Sequence, residues 1–120
     1  KGIWISNHGG RMFNSGLSTS HALFSINKKL KNHRIIKIVD GGIEKGSDII
    51  KYLCLGADFV AIGRPAIYGL AVNGNLGVYR IFEILKKELR TAMINGGFKN
   101  LKSFNQNRLI LNKFKNIYGI

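Results

Sequence analysis

A histidine and an arginine lie three residues apart near the start of the chain, directly after a short apolar segment. Histidine is the side chain that commonly exchanges protons near neutral pH, so His8 is a candidate base. Arg11 carries a planar guanidinium that can bind a carboxylate through two parallel hydrogen bonds. A base beside a carboxylate-binding group predicts proton abstraction near a substrate carboxylate. A polar loop without function could also contain both residues.

The neighbouring residues indicate how this pair is positioned. Ile3-Trp4-Ile5 is rich in β-branched and aromatic residues and predicts a buried strand, after which Gly9 and Gly10 turn the chain. Further strands are predicted at 35–39 and 59–62. Helices are predicted from Ser18 or Thr19 to about Lys31, from Asp48 to Leu55, from about Ala66 to Val72 and from about Leu76 to Ile94. This alternation predicts an α/β fold with parallel strands, whose carboxyl ends usually carry the chemistry.

Glycine-containing corners follow the second and third predicted strands. Asp40-Gly41-Gly42 ends one strand and Gly63-Arg64 ends the next. Glycines let backbone N–H groups approach a ligand, and Arg64 adds a charged donor, so the two corners suit a phosphate. TIM barrels commonly bind phosphate after strands 7 and 8, which would make Ile3-Trp4-Ile5 strand 6. Asp40 is then expected to accept from a cofactor hydroxyl. Each corner taken alone could also be an ordinary turn.

Composition narrows the class of protein. The net charge of +13, from 19 basic and 6 acidic residues, leaves a basic nucleic-acid-binding protein as an alternative. The lysines are spread over helix faces and the tail, which favours an enzyme of basic composition. Cys54 is the only cysteine, so an internal disulfide is excluded and a reducing, cytoplasmic location is expected. The apolar runs are too short for a transmembrane helix, and no metal site is predicted.

The chain is too short for a complete barrel. It has 120 residues, whereas a (β/α)8 barrel needs about 250. It also begins almost directly in a predicted strand and without a methionine. We therefore expect residues 1–120 to be the C-terminal segment of one barrel domain in a longer protein, with a tail from about residue 100.

The string Ser6-Asn7-His8-Gly9-Gly10-Arg11 resembles the active-site signature of the FMN-dependent α-hydroxy acid oxidases and dehydrogenases. Segments 40–48 and 63–65 resemble the FMN-binding segments of that family, and segment 112–120 is similar to the tail of its lactate oxidases. The resemblance extends over essentially the whole chain. It implies a (β/α)8 TIM barrel, of which this chain would form about strands 6–8 and their helices.

The resemblance implies FMN-dependent oxidation of an L-2-hydroxy acid, such as lactate, to the 2-oxo acid. Arg11 would bind the substrate carboxylate, and His8 would bind substrate and accept a proton from its hydroxyl or its α-carbon. Ser6 would face the flavin ring. The remaining cofactor-binding residues would be Asp40, Gly41, Gly42, Ile43, Glu44, Gly63 and Arg64.

The resemblance also implies partners. Oxygen, a quinone or a cytochrome would reoxidise the flavin, and family members are often tetramers. The family's flavin-contacting lysine and its active-site tyrosines come from earlier strands, so the chain alone is expected to be inactive. A barrel-like fragment that binds no flavin is the other alternative.

The chain departs from the family pattern at two positions. Met12 stands where the family usually has glutamine, and Glu44 stands where it usually has an arginine facing the FMN phosphate. A carboxylate 4 Å from a phosphate charge is repelled by about 4 kcal/mol at an effective dielectric of 20. We therefore expect Glu44 to point to solvent while Arg64 and Lys45 bind the phosphate.

Overall fold

The computed structural model describes residues 1–30 and 35–109. The described elements include three β-strands, which are β1 (Gly2–Ile5), β2 (Ile36–Val39) and β3 (Phe59–Val60). The α-helices are α1 (Thr19–Lys29), α2 (Gly46–Cys54) and α3 (Arg64–Asn95), and single 3-10 turns cover His8–Gly10, Leu101–Ser103 and Gln106–Arg108. The predicted alternation of strands and helices is confirmed. The predicted similarity at 112–120 lies outside the described residues, as does the expected helix end at Lys31.

The described strands form one parallel sheet in the order β1-β2-β3. Ile5 pairs with Val39, which pairs in turn with Val60. All the strands therefore end at the same edge, as predicted. On one face of the sheet, α1 and α2 build a core with these strands. Its buried members are Ile5, Leu23, Val39, Ile43, Tyr52, Leu55 and Ala57.

The other face of the sheet is apolar and open. Successive side chains of a strand point to opposite faces, and the register places Trp4 beside Ile38 and Ile38 beside Phe59. Trp4 is 62% exposed and Phe59 is 59% exposed. Large apolar side chains in such a patch mark a surface that normally packs against other protein. The described part of the chain therefore has an open apolar face on this side of the sheet.

Helix α3 combines the two helices predicted for the last third of the chain. Asn73 and Gly74 interrupt it with non-helical backbone, Gly74 having a φ of 53°. The helical stretches on either side approach each other at two buried glycines, Gly69 and Gly77. A Cβ added to Gly69 would lie 2.6 Å from the Gly77 carbonyl oxygen. The interruption thus coincides with the predicted boundary between the two helices. None of the described helices is long and apolar enough to cross a membrane.

Helix α2 begins two residues before the predicted start at Asp48. The Asp48 carboxylate accepts from the backbone N–H of Lys45 at 3.1 Å and more weakly from that of Glu44 at 3.3 Å. Asp48 therefore lies inside the first helical turn and caps it from there. Gly56, with a φ of 99°, follows the helix as predicted.

Candidate active site

A cavity of about 340 Å³ opens at the carboxyl edge of the sheet. Residues from the corners after β1, β2 and β3 line it together. The lining includes ten residues that were expected to contact substrate or cofactor, but not Lys45, which was also expected at the phosphate. The ten are Ser6, His8, Arg11, Asp40, Gly41, Gly42, Ile43, Glu44, Gly63 and Arg64. The structure thus brings the predicted residues together, while their individual roles stay predictions.

The loop that carries His8 has an unusual backbone. His8 has a φ of 52°, and Gly9 and Gly10 also have positive φ. A non-glycine residue in this region is uncommon and needs support from its surroundings. The His8 N–H donates to Ser6 Oγ at 3.1 Å, and the Gly9 N–H donates to Asn7 Oδ1 at 3.0 Å. The serine and asparagine of the motif therefore stabilise the turn that exposes His8 at the cavity.

Further contacts join the three corners to one another. Arg64 Nη2 donates to the Gly9 carbonyl oxygen at 3.4 Å, which links the third corner to the first. Gly41, in the second corner, lies so close to the first that an added Cβ would be 2.9 Å from Asn7 Oδ1. The relative placement of His8, the glycine pair and Arg64 therefore depends on short contacts between loops that are distant in sequence.

The N-terminus of α3 faces the cavity. Gly63, Arg64, Pro65 and Ile67 all line it. The first N–H groups of a helix lack intrahelical acceptors, and the helix dipole makes this end partially positive. A Cβ added to Gly63 would meet no atom within 4 Å, so the approach to the backbone is open. A helix N-terminus with an arginine side chain beside it is suited to bind a phosphate.

The N-terminus of α2 is occupied by carboxylates of the protein itself. Asp48 accepts from Glu44 and Lys45, and Glu88 of α3 accepts from the Gly46 N–H at 2.9 Å. Burial raises the pKa of Asp48, but the hydrogen bond from Lys51, those two backbone N–H groups and the Lys51 charge together lower it below its usual value. The backbone N–H groups of Glu44, Lys45 and Gly46 are therefore already occupied and do not bind a cofactor phosphate.

The expected role of Lys45 in phosphate binding is corrected. Lys45 is exposed and lines a separate depression beside α3, with Lys87 and Thr91 among its neighbours. The packing of buried Gly46 against α3 places the preceding residue on that side. Glu44 is exposed, as expected, but still lines the cavity. Arg64, which lines the cavity, is thus the basic residue of the α3 end itself, and Glu44 remains at the rim.

Several residues that shape the site could not be predicted from the sequence, or were predicted in another role. Trp4 was assigned to a buried strand, yet it lines the cavity and its Nε1–H donates to Asp40 Oδ2 at 2.9 Å. Its position between two isoleucines of a strand is the signal that places it on the opposite face. Asn7 could have been recognised from its place before a glycine, where asparagine commonly accepts from a nearby backbone N–H. Thr19 and Tyr52 also shape the site, because their hydroxyls bond to each other and Tyr52 donates to the Gly41 carbonyl oxygen. No short sequence pattern indicated either role.

The profile of the FMN-dependent dehydrogenase family matches residues 1–111. The chain belongs to this family. It is 43% identical over 109 residues to the L-lactate oxidase of Lentilactobacillus hilgardii, a match that covers 91% of this chain and 29% of that protein. It is 40% identical over 109 residues to the L-lactate dehydrogenase of Pseudomonas putida, covering 91% of this chain and 28% of that protein.

Comparison with solved structures agrees with this assignment. The chain superimposes on flavocytochrome b2 with a TM-score of 0.87 and 32% sequence identity, over 92% of this chain and 30% of that one. This member of the FMN-dependent dehydrogenase family therefore spans less than a third of the length of these relatives. The resemblance seen in the sequence is confirmed, FMN is the cofactor of the family, and the fold corresponds to part of a barrel enzyme.

Proposed function

We propose that this chain is the C-terminal segment of an FMN-dependent enzyme that oxidises an L-2-hydroxy acid, such as lactate, to the 2-oxo acid. In this proposal β1 to β3 are about strands 6 to 8 of a single barrel domain, and residues from about 100 form its tail. The observation that carries the proposal is the shared cavity onto which His8, Arg11 and Arg64 open. The family match and the partial coverage of longer relatives support it.

The residues of the cavity fit FMN at its phosphate and its sugar-alcohol chain. The α3 N-terminus and the Arg64 guanidinium provide positive charge and donors for the phosphate. Asp40 uses Oδ2 to accept from Trp4, and within residues 1–30 and 35–109 no group donates to its Oδ1, which could accept from a cofactor hydroxyl. Glycines at positions 41, 42 and 63 line the cavity and allow a close approach to the backbone. Two carboxylates line the cavity: Asp40, which would accept from a cofactor hydroxyl, and Glu44 at the rim, which opposes an anionic group.

The substrate would bind at the corner after β1. Arg11 would bind the carboxylate, and His8 would accept the proton that leaves the hydroxyl or the α-carbon. Ser6 Oγ accepts from the His8 N–H, so its own proton is free to be donated toward the flavin ring. When bound, FMN supplies a two-electron acceptor. The protein residues therefore bind the substrate, orient it and remove its proton.

The proposal includes the partners of the whole protein. Oxygen, a quinone or a cytochrome would take the electrons from the flavin, and the protein would act as a homo-oligomer, such as a tetramer, in the cytoplasm. The chain alone would be inactive, because the open face that carries Trp4 and Phe59 leaves one side of the cavity without a wall. The rest of the barrel would supply that wall.

The test replaces His8 by glutamine in the full-length polypeptide. We expect His8→Gln to keep FMN bound and to slow the reduction of FMN by L-lactate by at least about 100-fold, the scale of general base catalysis. His21→Gln is the matched control, because His21 is exposed in the first turn of α1. A normal rate of reduction in His8→Gln would contradict the assigned base. A wild-type protein that binds no FMN would favour the flavin-free alternative.

A further inference from the structure

A buried pair of hydroxyls joins α1 and α2 to the corner after β2. Tyr52 is 8% exposed and Thr19 is 3% exposed. Tyr52 Oη lies 2.8 Å from the Gly41 carbonyl oxygen and 2.7 Å from Thr19 Oγ1. A carbonyl oxygen only accepts, and a tyrosine hydroxyl has one proton. Tyr52 therefore donates to Gly41, and Thr19 donates to Tyr52.

This arrangement determines the direction of the peptide group between Gly41 and Gly42. The described peptide bonds include none in the cis form, and in a trans peptide the C=O and the following N–H point in opposite directions. Because Tyr52 binds the Gly41 carbonyl in the core, the Gly42 N–H points away from the core. Gly42 is exposed and lines the cavity, and its N–H donates to no residue in the described ranges.

The glycine pair needs such an anchor. Gly41 has a φ of 93° and Gly42 a φ of 68°, and glycines change backbone conformation at little cost. A rotation of this peptide would turn the carbonyl oxygen toward the cavity, where it would repel an anion. Tyr52 is the donor that opposes the rotation, since its hydroxyl binds the carbonyl directly.

We infer that Tyr52 is a positioning residue for the cofactor: its hydroxyl fixes the Gly41–Gly42 peptide so that the Gly42 N–H donates to an oxygen of the FMN phosphate. This inference rests on the proposed function. Helix α2 would then contribute to anion binding through Tyr52. Its N-terminus does not contribute, because Asp48 and Glu88 occupy it.

The test compares FMN with riboflavin, which lacks the phosphate, in the full-length polypeptide. Tyr52→Phe removes the hydroxyl and keeps the ring. We expect it to raise the Kd of FMN by about tenfold or more, the effect of losing one hydrogen bond to a charged group. The Kd of riboflavin should change by less than about twofold, because riboflavin does not reach the Gly42 N–H.

Thr19→Val is the matched control. It removes the donor to Tyr52 but leaves the bond from Tyr52 to Gly41. Both variants should unfold at a lower urea concentration than the wild type, because each disturbs a buried hydrogen bond. Only Tyr52→Phe should weaken FMN binding, so the two measurements separate positioning from general stability.

Two results with Tyr52→Phe would overturn the inference while leaving the proposed function intact. In the first, Tyr52→Phe binds FMN as tightly as the wild type, and in the second it loses FMN and riboflavin affinity equally. A wild-type protein that binds riboflavin as tightly as FMN would also overturn it. A wild-type protein that binds neither flavin would refute the proposed function itself.

Discussion

Gly41→Ala should damage the protein more than Gly42→Ala, although the two glycines are adjacent and both have positive φ. Gly41 has a φ of 93° and Gly42 a φ of 68°, so an alanine at either position is disfavoured by about 1–2 kcal/mol. The surroundings differ. A Cβ on Gly41 would lie 2.9 Å from Asn7 Oδ1 and 3.2 Å from Thr19 Oγ1, whereas a Cβ on Gly42 would meet nothing within 4 Å.

The extra cost at Gly41 follows from how little its neighbours can move. Thr19 is buried at the start of α1, and Asn7 is fixed by its bond to the Gly9 N–H. Overpacking of this kind costs about 1–3 kcal/mol. We therefore expect a total loss of about 2–5 kcal/mol for Gly41→Ala and about 1–2 kcal/mol for Gly42→Ala.

Urea denaturation of the flavin-free full-length protein measures both losses, provided that the denaturant slope is the same in both variants. A second readout is the reduction of FMN by L-lactate. It should slow in Gly41→Ala, because displacement of Asn7 disturbs the loop that carries His8. Equal stability of the two variants would refute the reasoning from close contact. Equal rates of FMN reduction in Gly41→Ala and Gly42→Ala would refute the idea that the contact between Gly41 and Asn7 holds the His8 loop in place.

Two further predictions concern the acidic residues near the cofactor loops. Asp48→Asn should destabilise the protein by about 1 kcal/mol at pH 7, through weaker capping of α2. Because folding lowers the pKa of Asp48, this advantage of the wild type is present above about pH 4 and is lost as the pH falls toward the folded pKa. Urea denaturation of the wild type and Asp48→Asn at pH 7 and pH 3 measures this advantage. An equal stability difference at the two pH values would contradict the stabilising role of the Asp48 carboxylate. Glu44→Arg should tighten FMN binding about threefold to tenfold, as expected for reversing an exposed charge near a phosphate, whereas Lys45→Gln should have little effect. Unchanged FMN affinity in Glu44→Arg, measured by flavin titration, would show that the rim carboxylate does not oppose the phosphate.

The sequence was sufficient to predict which residues meet at the cavity because its signals are local. The apolar run ending at Ile5, the glycine corners and the Ser6–Arg11 string each occupy a few consecutive residues. Parallel strands then bring their ends to one edge, whatever the details of packing. For this reason the ten predicted site residues line one cavity.

The features that could not be predicted arise from packing between distant elements. Lys45 was placed at the phosphate because it follows Glu44, yet the contact of Gly46 with α3 puts it on another side. The bond from Trp4 to Asp40 joins residues 36 positions apart. The bond between Thr19 and Tyr52 likewise depends on the packing of α1 against α2, which no short pattern reveals.

The most direct test of the central claim is the flavin absorbance of the full-length polypeptide, purified without added cofactor and then mixed anaerobically with L-lactate. We expect a flavin spectrum that is bleached by the L enantiomer and unaffected by D-lactate. A protein without flavin absorbance, even after incubation with FMN, would contradict the assignment of the cavity as a cofactor site. A flavin that no L-2-hydroxy acid bleaches would contradict the proposed reaction.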